Sequence, residues 1–113
     1  MNNRQRKAAA EFLRAEGFVV TAVEVEHAME RIRADMAASD EEEDELAMDD
    51  YITAFVDEAT DGIHSRTGSD AMCRVYAESL RDALELARDG CLRFTADEAY
   101  WFDPQEQQRA GMC

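Results

Sequence analysis

Between residues 39 and 62 the chain reads SDEEEDELAMDDYITAFVDEATDG and carries Asp40, Glu41, Glu42, Glu43, Asp44, Glu45, Asp49, Asp50, Asp57, Glu58 and Asp61, with no Lys, Arg or His among them. Eleven carboxylates without a local counter-charge cannot enter a core, because an unpaired buried charge costs far more than the burial of its neighbours returns. Whatever the fold, this segment must sit at its surface and bury only one side. The apolar residues agree: Met48, Ile52, Phe55 and Ala59 recur at steps of four, three and four, flanked by Tyr51 and Val56, which is the period of one helix face. At about 100° per residue Asp50, Asp57 and Asp61 fall together on the far side, with Asp49 and Glu58 at its margins. The expected element is an amphipathic helix with a purely acidic outer face, stopped by Gly62. A solvated acidic loop at about residues 39–46 precedes it, since six consecutive acids from Asp40 to Glu45 repel one another.

The rest of the chain also reads as helix. Only five Gly and one Pro interrupt 113 residues, and Ala, Glu, Arg, Met and Leu are abundant. A first helix over residues 3–16 puts Ala8, Ala9, Phe12 and Leu13 on its inner side and stops at Gly17. Thr21 and Glu24 form a T-x-x-E capping box, with Val20 and Val25 as its hydrophobic staple. The second helix then carries Val25, Met29, Ile32 and Met36 inward and runs to about Ala38. After a loop over residues 63–68, Ser69 or Thr67 caps a fourth helix that reaches Asp89. Met72, Tyr76, Ser79, Leu80, Ala83, Leu84 and Ala87 form its buried face, while Val75 and Leu86 lie off that face and point to a further element. Residues 91–94 read as a short strand with residues 18–20 as a mate, a minor pairing at most. A second capping box, Thr95 with Glu98, and Asp103 before Pro104 open short C-terminal helices.

These elements define one all-α domain over residues 1–113: a bundle of four main helices plus short C-terminal ones. Its core is Phe12, Val25, Met29, Ile32, Met36, Ile52, Phe55, Tyr76, Leu80, Leu84 and Trp101.

Charge narrows the partners. Residues 1–38 hold six acids and six bases, and residues 63–113 hold nine and six, so the middle block supplies nearly all of the net charge of −14. The block reads either as a solvated loop and helix face that keep the chain soluble or, because solubility charge is normally dispersed, as a surface for something basic. Direct binding to nucleic acid or to an anionic membrane is disfavoured, since both repel such a chain. Charged residues interrupt the N-terminal stretch where a signal peptide needs an apolar run, and no segment is long and apolar enough to span a bilayer. Three cysteines at wide spacing (Cys73, Cys91, Cys113) indicate neither a disulfide framework nor a zinc site, which fits free thiols in a reducing cytoplasm.

Chemical motifs are weak throughout. Glu24-x-x-His27 and Asp61-x-x-His64 have the spacing used by di-iron bundles. His27, however, lies about 200° round its helix from Val25, and Gly62 is expected to break the turn between Asp61 and His64. An EF-hand starting at Asp57 has Gly62 at its sixth place but Ala59 at its third and Gly68 where the bidentate Glu belongs. Cys73 or Cys91 could pair with His64, yet nothing local activates a thiol. There is no phosphate-cradling loop, no G-x-S-x-G and no H-E-x-x-H. No cofactor, metal or enzymatic activity is expected. The order helix, Gly17, capped helix matches a helix-turn-helix, but the would-be recognition helix opens Ala22-Val23-Glu24-Val25-Glu26, which suits no DNA groove. The basic cluster Arg4, Arg6 and Lys7 reads as an exposed terminus available to another copy's acidic face. Three consecutive aromatics, Tyr100, Trp101 and Phe102, cannot all share one buried face. They form either a lid over the core or an anchor for a partner or second protomer.

The expected function is a non-enzymatic acidic inhibitor that occludes the nucleic-acid-binding surface of a basic protein. If all 22 residues from Asp40 to Asp61 were helical, eleven charges would span about 33 Å, roughly one per 3 Å against one per 1.7 Å of DNA axis. In size, charge and lack of chemistry the chain resembles in kind the phage-encoded anti-defence proteins, anti-CRISPRs and DNA mimics, without sharing a motif with them. That resemblance implies action in the host cytoplasm. The alternative is an acidic helical adaptor or assembly protein, homodimeric or larger, joined through the aromatic tail.

Overall fold

The computed structural model describes residues 3–40 and 45–91. Over them the chain is an all-α bundle of four helices: α1 (Asn3–Ala15), α2 (Ala22–Ala38), α3 (Glu45–Thr67) and α4 (Asp70–Arg88). Helix α4 is the hub, touching each of the other three, with its largest interface on α3; α2 also packs on α3. Two cores result. In one, Val25, Met29, Ile32 and Met36 of α2 meet Met48, Ile52 and Val56 of α3 and Leu80, Ala83 and Leu84 of α4. In the other, Ala9 and Leu13 of α1 meet Ile63 of α3 and Val75 of α4. Tyr76 packs against both and links them.

Local signals explain most helix ends. Thr21 caps α2, its hydroxyl accepting the Glu24 N–H at 3.3 Å, and Ser69 caps α4 by accepting from Met72 at 3.3 Å. Helices α1 and α4 close with the same Schellman pair of bonds. Phe18 N–H donates to Leu13 carbonyl and Gly17 to Arg14; Cys91 donates to Leu86 and Gly90 to Ala87. At the end of α2 the left-handed position is taken by Asp40 (φ 56°).

Helix α3 overrides the expected stop. Gly62 lies inside a 23-residue helix that continues to Thr67. A mid-helix glycine costs about 1 kcal/mol relative to alanine. Burying the next residue, Ile63 (1% exposed), is worth about 1.5–3 kcal/mol, so tertiary packing wins. The Thr67 hydroxyl ties back to the Ile63 carbonyl at 2.9 Å. The helix stops instead at Gly68, at φ +63°, whose N–H reaches the His64 carbonyl at 2.8 Å. The loop expected over residues 63–68 is therefore mostly helix.

One further expectation is corrected. Phe12 is 45% exposed, because α1 turns Ala9, Ala10 and Leu13 inward and leaves Phe12 on the flank. Thr21, directly after residues 18–20, forms an isolated β-bridge, and no extended strand occurs among the described residues. The off-face Val75 does meet a further element, α1. The C-terminal helices, residues 92–94 of the proposed pairing, and Trp101 lie outside the described residues.

Candidate acidic interface

The outward side of α3 carries Asp50, Asp57, Glu58 and Asp61, all exposed. It is set by the inward side: Met48, Ile52, Val56 and Ile63 are buried, and that fixes the rotation of the helix about its axis. Asp50, Asp57 and Asp61 then form one row about 16 Å long, with exposed Ala54 between the first two and Glu58 beside it. None of the four carboxylates takes part in an ion pair among the described residues. The row is held in place by the buried side of the helix packed behind it.

Asp49 is a different case. It lies at the edge of the helix nearest α4, and Arg81 reaches across to it, donating from Nη2 to Asp49 at 2.9 Å and from Nη1 to the Thr53 hydroxyl at 2.8 Å. Arg81 also pairs with Glu85 along its own helix at 3.3 Å. Asp49 is thus part of the α3–α4 joint and leaves the set of unneutralised acids. Sequence spacing on α3 alone could not show this, because the partner lies 32 residues away. Asp40 is exposed. The side chains of Glu41, Glu42, Glu43, Asp44 and Glu45, and the cluster Tyr100, Trp101 and Phe102, fall outside the described residues. The ordered field is consequently thinner than expected: four charges over about 16 Å, roughly one per 4 Å.

The continuation of α3 past Gly62 brings together residues that a break would have separated. His64 Nδ1 stands 3.9 Å from the sulfur of Cys73 on α4. Burial pushes the Cys73 thiol up, and Asp70 and Asp61 push it the same way through their charge. Both effects disfavour the thiolate, the reactive form of a cysteine. No three His, Cys, Asp or Glu side chains among the described residues converge as a cation site. Cys73 is a free thiol, whereas Cys91 is disulfide-bonded, against the expectation of three free thiols. Burial also pushes the Tyr76 phenol up, with the Glu24 carboxylate adding to it, as suits a ring wedged between two cores.

Of the ten described Lys and Arg residues, Arg6, Arg31, Arg66, Arg81 and Arg88 are engaged in ion pairs or ring contacts, and Arg4, Lys7, Arg14, Arg33 and Arg74 enter no ion pair among the described residues. Arg6 is half-buried and pairs with Glu78, so it is not part of an exposed terminal cluster. Arg66 pairs with Glu16 at 3.6 Å and lies over the Phe18 ring. Arg31 lies over Phe55. Among the described residues no helix is long and apolar enough to cross a membrane. No family model, curated protein or solved structure matches the chain.

Proposed function

We propose that the protein is a non-enzymatic inhibitor whose α3 face occupies the nucleic-acid-binding surface of a basic protein, in the manner of DNA-mimic anti-defence proteins. The observation that carries this reading is the row Asp50, Asp57 and Asp61 with Glu58: ordered, exposed and without ion-pair partners among the described residues. Charges held on a packed helix need little reorganisation when a basic groove closes on them, and their long-range field speeds encounter. The density is lower than that of DNA, so three or four Arg or Lys side chains at helical spacing are the fitting counterpart, rather than a full duplex channel.

The test is capture of basic nucleic-acid-binding proteins from lysate at low salt, followed by release with added duplex DNA. Wild type should capture a protein that the DNA displaces. The D50K/D57K/D61K variant should capture none while keeping its helical content. Capture that survives the three reversals and ignores competing DNA rejects the proposal.

A second reading, an acidic helical adaptor or assembly protein, is favoured by the exposure of Phe12, Val23 and above all Leu46, which is 83% exposed at the start of α3. Apolar anchoring would make binding nearly independent of salt, whereas the acidic row requires a steep loss between low and moderate ionic strength.

A further inference from the structure

We infer that the protein associates with itself at low ionic strength through the basic side of α1 in one copy and the acidic row of α3 in another. Two unpaired rows of opposite sign stand on the same chain. Arg4, Lys7 and Arg14 are exposed on α1 and, like the α3 carboxylates, enter no ion pair among the described residues. Arg6, between them, is turned inward to Glu78 and takes no part.

The spacings match in one orientation. Along α3 the row advances by seven and then four residues (Asp50, Asp57, Asp61); read backwards along α1 the basic row advances by seven and then three (Arg14, Lys7, Arg4). Two antiparallel helices therefore bring Arg14 opposite Asp50, Lys7 opposite Asp57 and Arg4 opposite Asp61, with a mismatch of about 1.5 Å at the last pair. The long Arg and Lys stems absorb that offset. Glu11, the one acid on this side of α1, falls opposite Thr53 and Ala54, where α3 carries no charge. In the parallel orientation the same alignment fails. With Arg4 opposite Asp50, Lys7 would face the uncharged Thr53, Glu11 would meet Asp57 as a like charge, and only Arg14 would come within one residue of a further acid, Asp61.

Within one copy the two rows do not serve each other, because α1 packs on α4 and meets α3 at the buried Ile63, away from the acidic row. The occupant is therefore a second copy. Three exposed pairs give a weak contact, and a net charge of −14 opposes it, so association should appear only at high protein concentration and low salt. The contact covers the same carboxylates proposed for the target, so self-association would mask them until a stronger basic partner competes.

Sedimentation equilibrium of the full chain tests this, at about 0.01 M and about 0.5 M salt. Wild type should associate in the first and be monomeric in the second. K7E/R14E should weaken association about tenfold or more, and so should D50K/D57K. The quadruple variant K7E/R14E/D50K/D57K, which has the net charge of wild type, should associate again. R33E, an exposed reversal on α2 outside both rows, should behave as wild type once corrected for net charge. A wild-type monomer at low salt, or a quadruple variant no better than either double variant, overturns the inference. Because K7E/R14E leaves the acidic row intact, it should still capture a basic target. Loss of self-association with target capture intact would leave the proposed function standing, and the reverse result would leave only the self-contact.

Discussion

Helices α3 and α4 lie side by side and are of similar length, yet they treat their outward charge in opposite ways. On α4 the charges that face its neighbours are tied into the fold, Glu78 holding Arg6 of α1 and Arg81 holding Asp49 and Thr53 of α3, while Asp70 and Arg74 are exposed and enter no ion pair among the described residues. On α3 the edge residue Asp49 and, in the last turn, Arg66 with Glu16 are used this way; Asp50, Asp57, Glu58 and Asp61 project outward without ion-pair partners among the described residues. The inner faces show no such contrast, since both bury an apolar stripe in the same two cores. Charge on α4 is thus part of how the bundle is assembled. The outer row of α3 makes no ion pair that would hold the fold together among the described residues and carries a small penalty, Asp57 and Asp61 being like charges one turn apart.

Mutations can break or sharpen this contrast, and the largest effect should come from the inner face. Ile63→Ala should lose about 2–5 kcal/mol in denaturant unfolding, because Ile63 joins α1 to α3 and holds the last turn of α3 in place. If the cost were below about 1 kcal/mol, the account of why α3 continues past Gly62 would be wrong. Next, Arg81→Ala should cost about 1–2 kcal/mol, since it removes hydrogen bonds to Asp49 and Thr53 and the packing of the Arg stem. Gly62→Ala should stabilise by about 0.5–1 kcal/mol: the helix is continuous there and an added Cβ meets nothing within 4 Å. Smallest of all, Asp57→Asn should raise stability by about 0.2–0.5 kcal/mol, an effect that vanishes in high salt. Destabilisation by Asp57→Asn would mean that the outer row has a structural partner after all.

Much of the bundle was legible in the sequence because local and tertiary preferences agree there. The ends of α2 and α4 follow from Thr21, Ser69 and Gly90, and their buried faces follow from the helical period of Val25, Met29, Ile32 and Met36 and of Leu80 and Leu84. The misreadings come where the two conflict. Gly62 has the local chemistry of a stop, but the burial of Ile63 outweighs it, and burial is not a local quantity. Phe12 reads as core by size, while the packing of α1 turns the smaller Ala9 and Leu13 inward and leaves the ring half exposed. The same limit applies to the site. Helical geometry placed Asp50, Asp57 and Asp61 on one side of α3, but removing Asp49 from the set required knowing that α4 passes beside it with Arg81.

The central claim is that the outer row of α3 exists for a partner and not for the fold. The most direct measurement is the affinity of a protein captured at low salt for wild type and for D50K/D57K/D61K, across a salt titration, with the melting temperature of each variant alongside. Wild-type affinity should fall steeply with salt, the variant's affinity should be reduced at least about a hundredfold at low salt, and the melting temperatures should stay close. Equal affinities with a flat salt dependence would contradict the claim, and so would a variant that fails to fold.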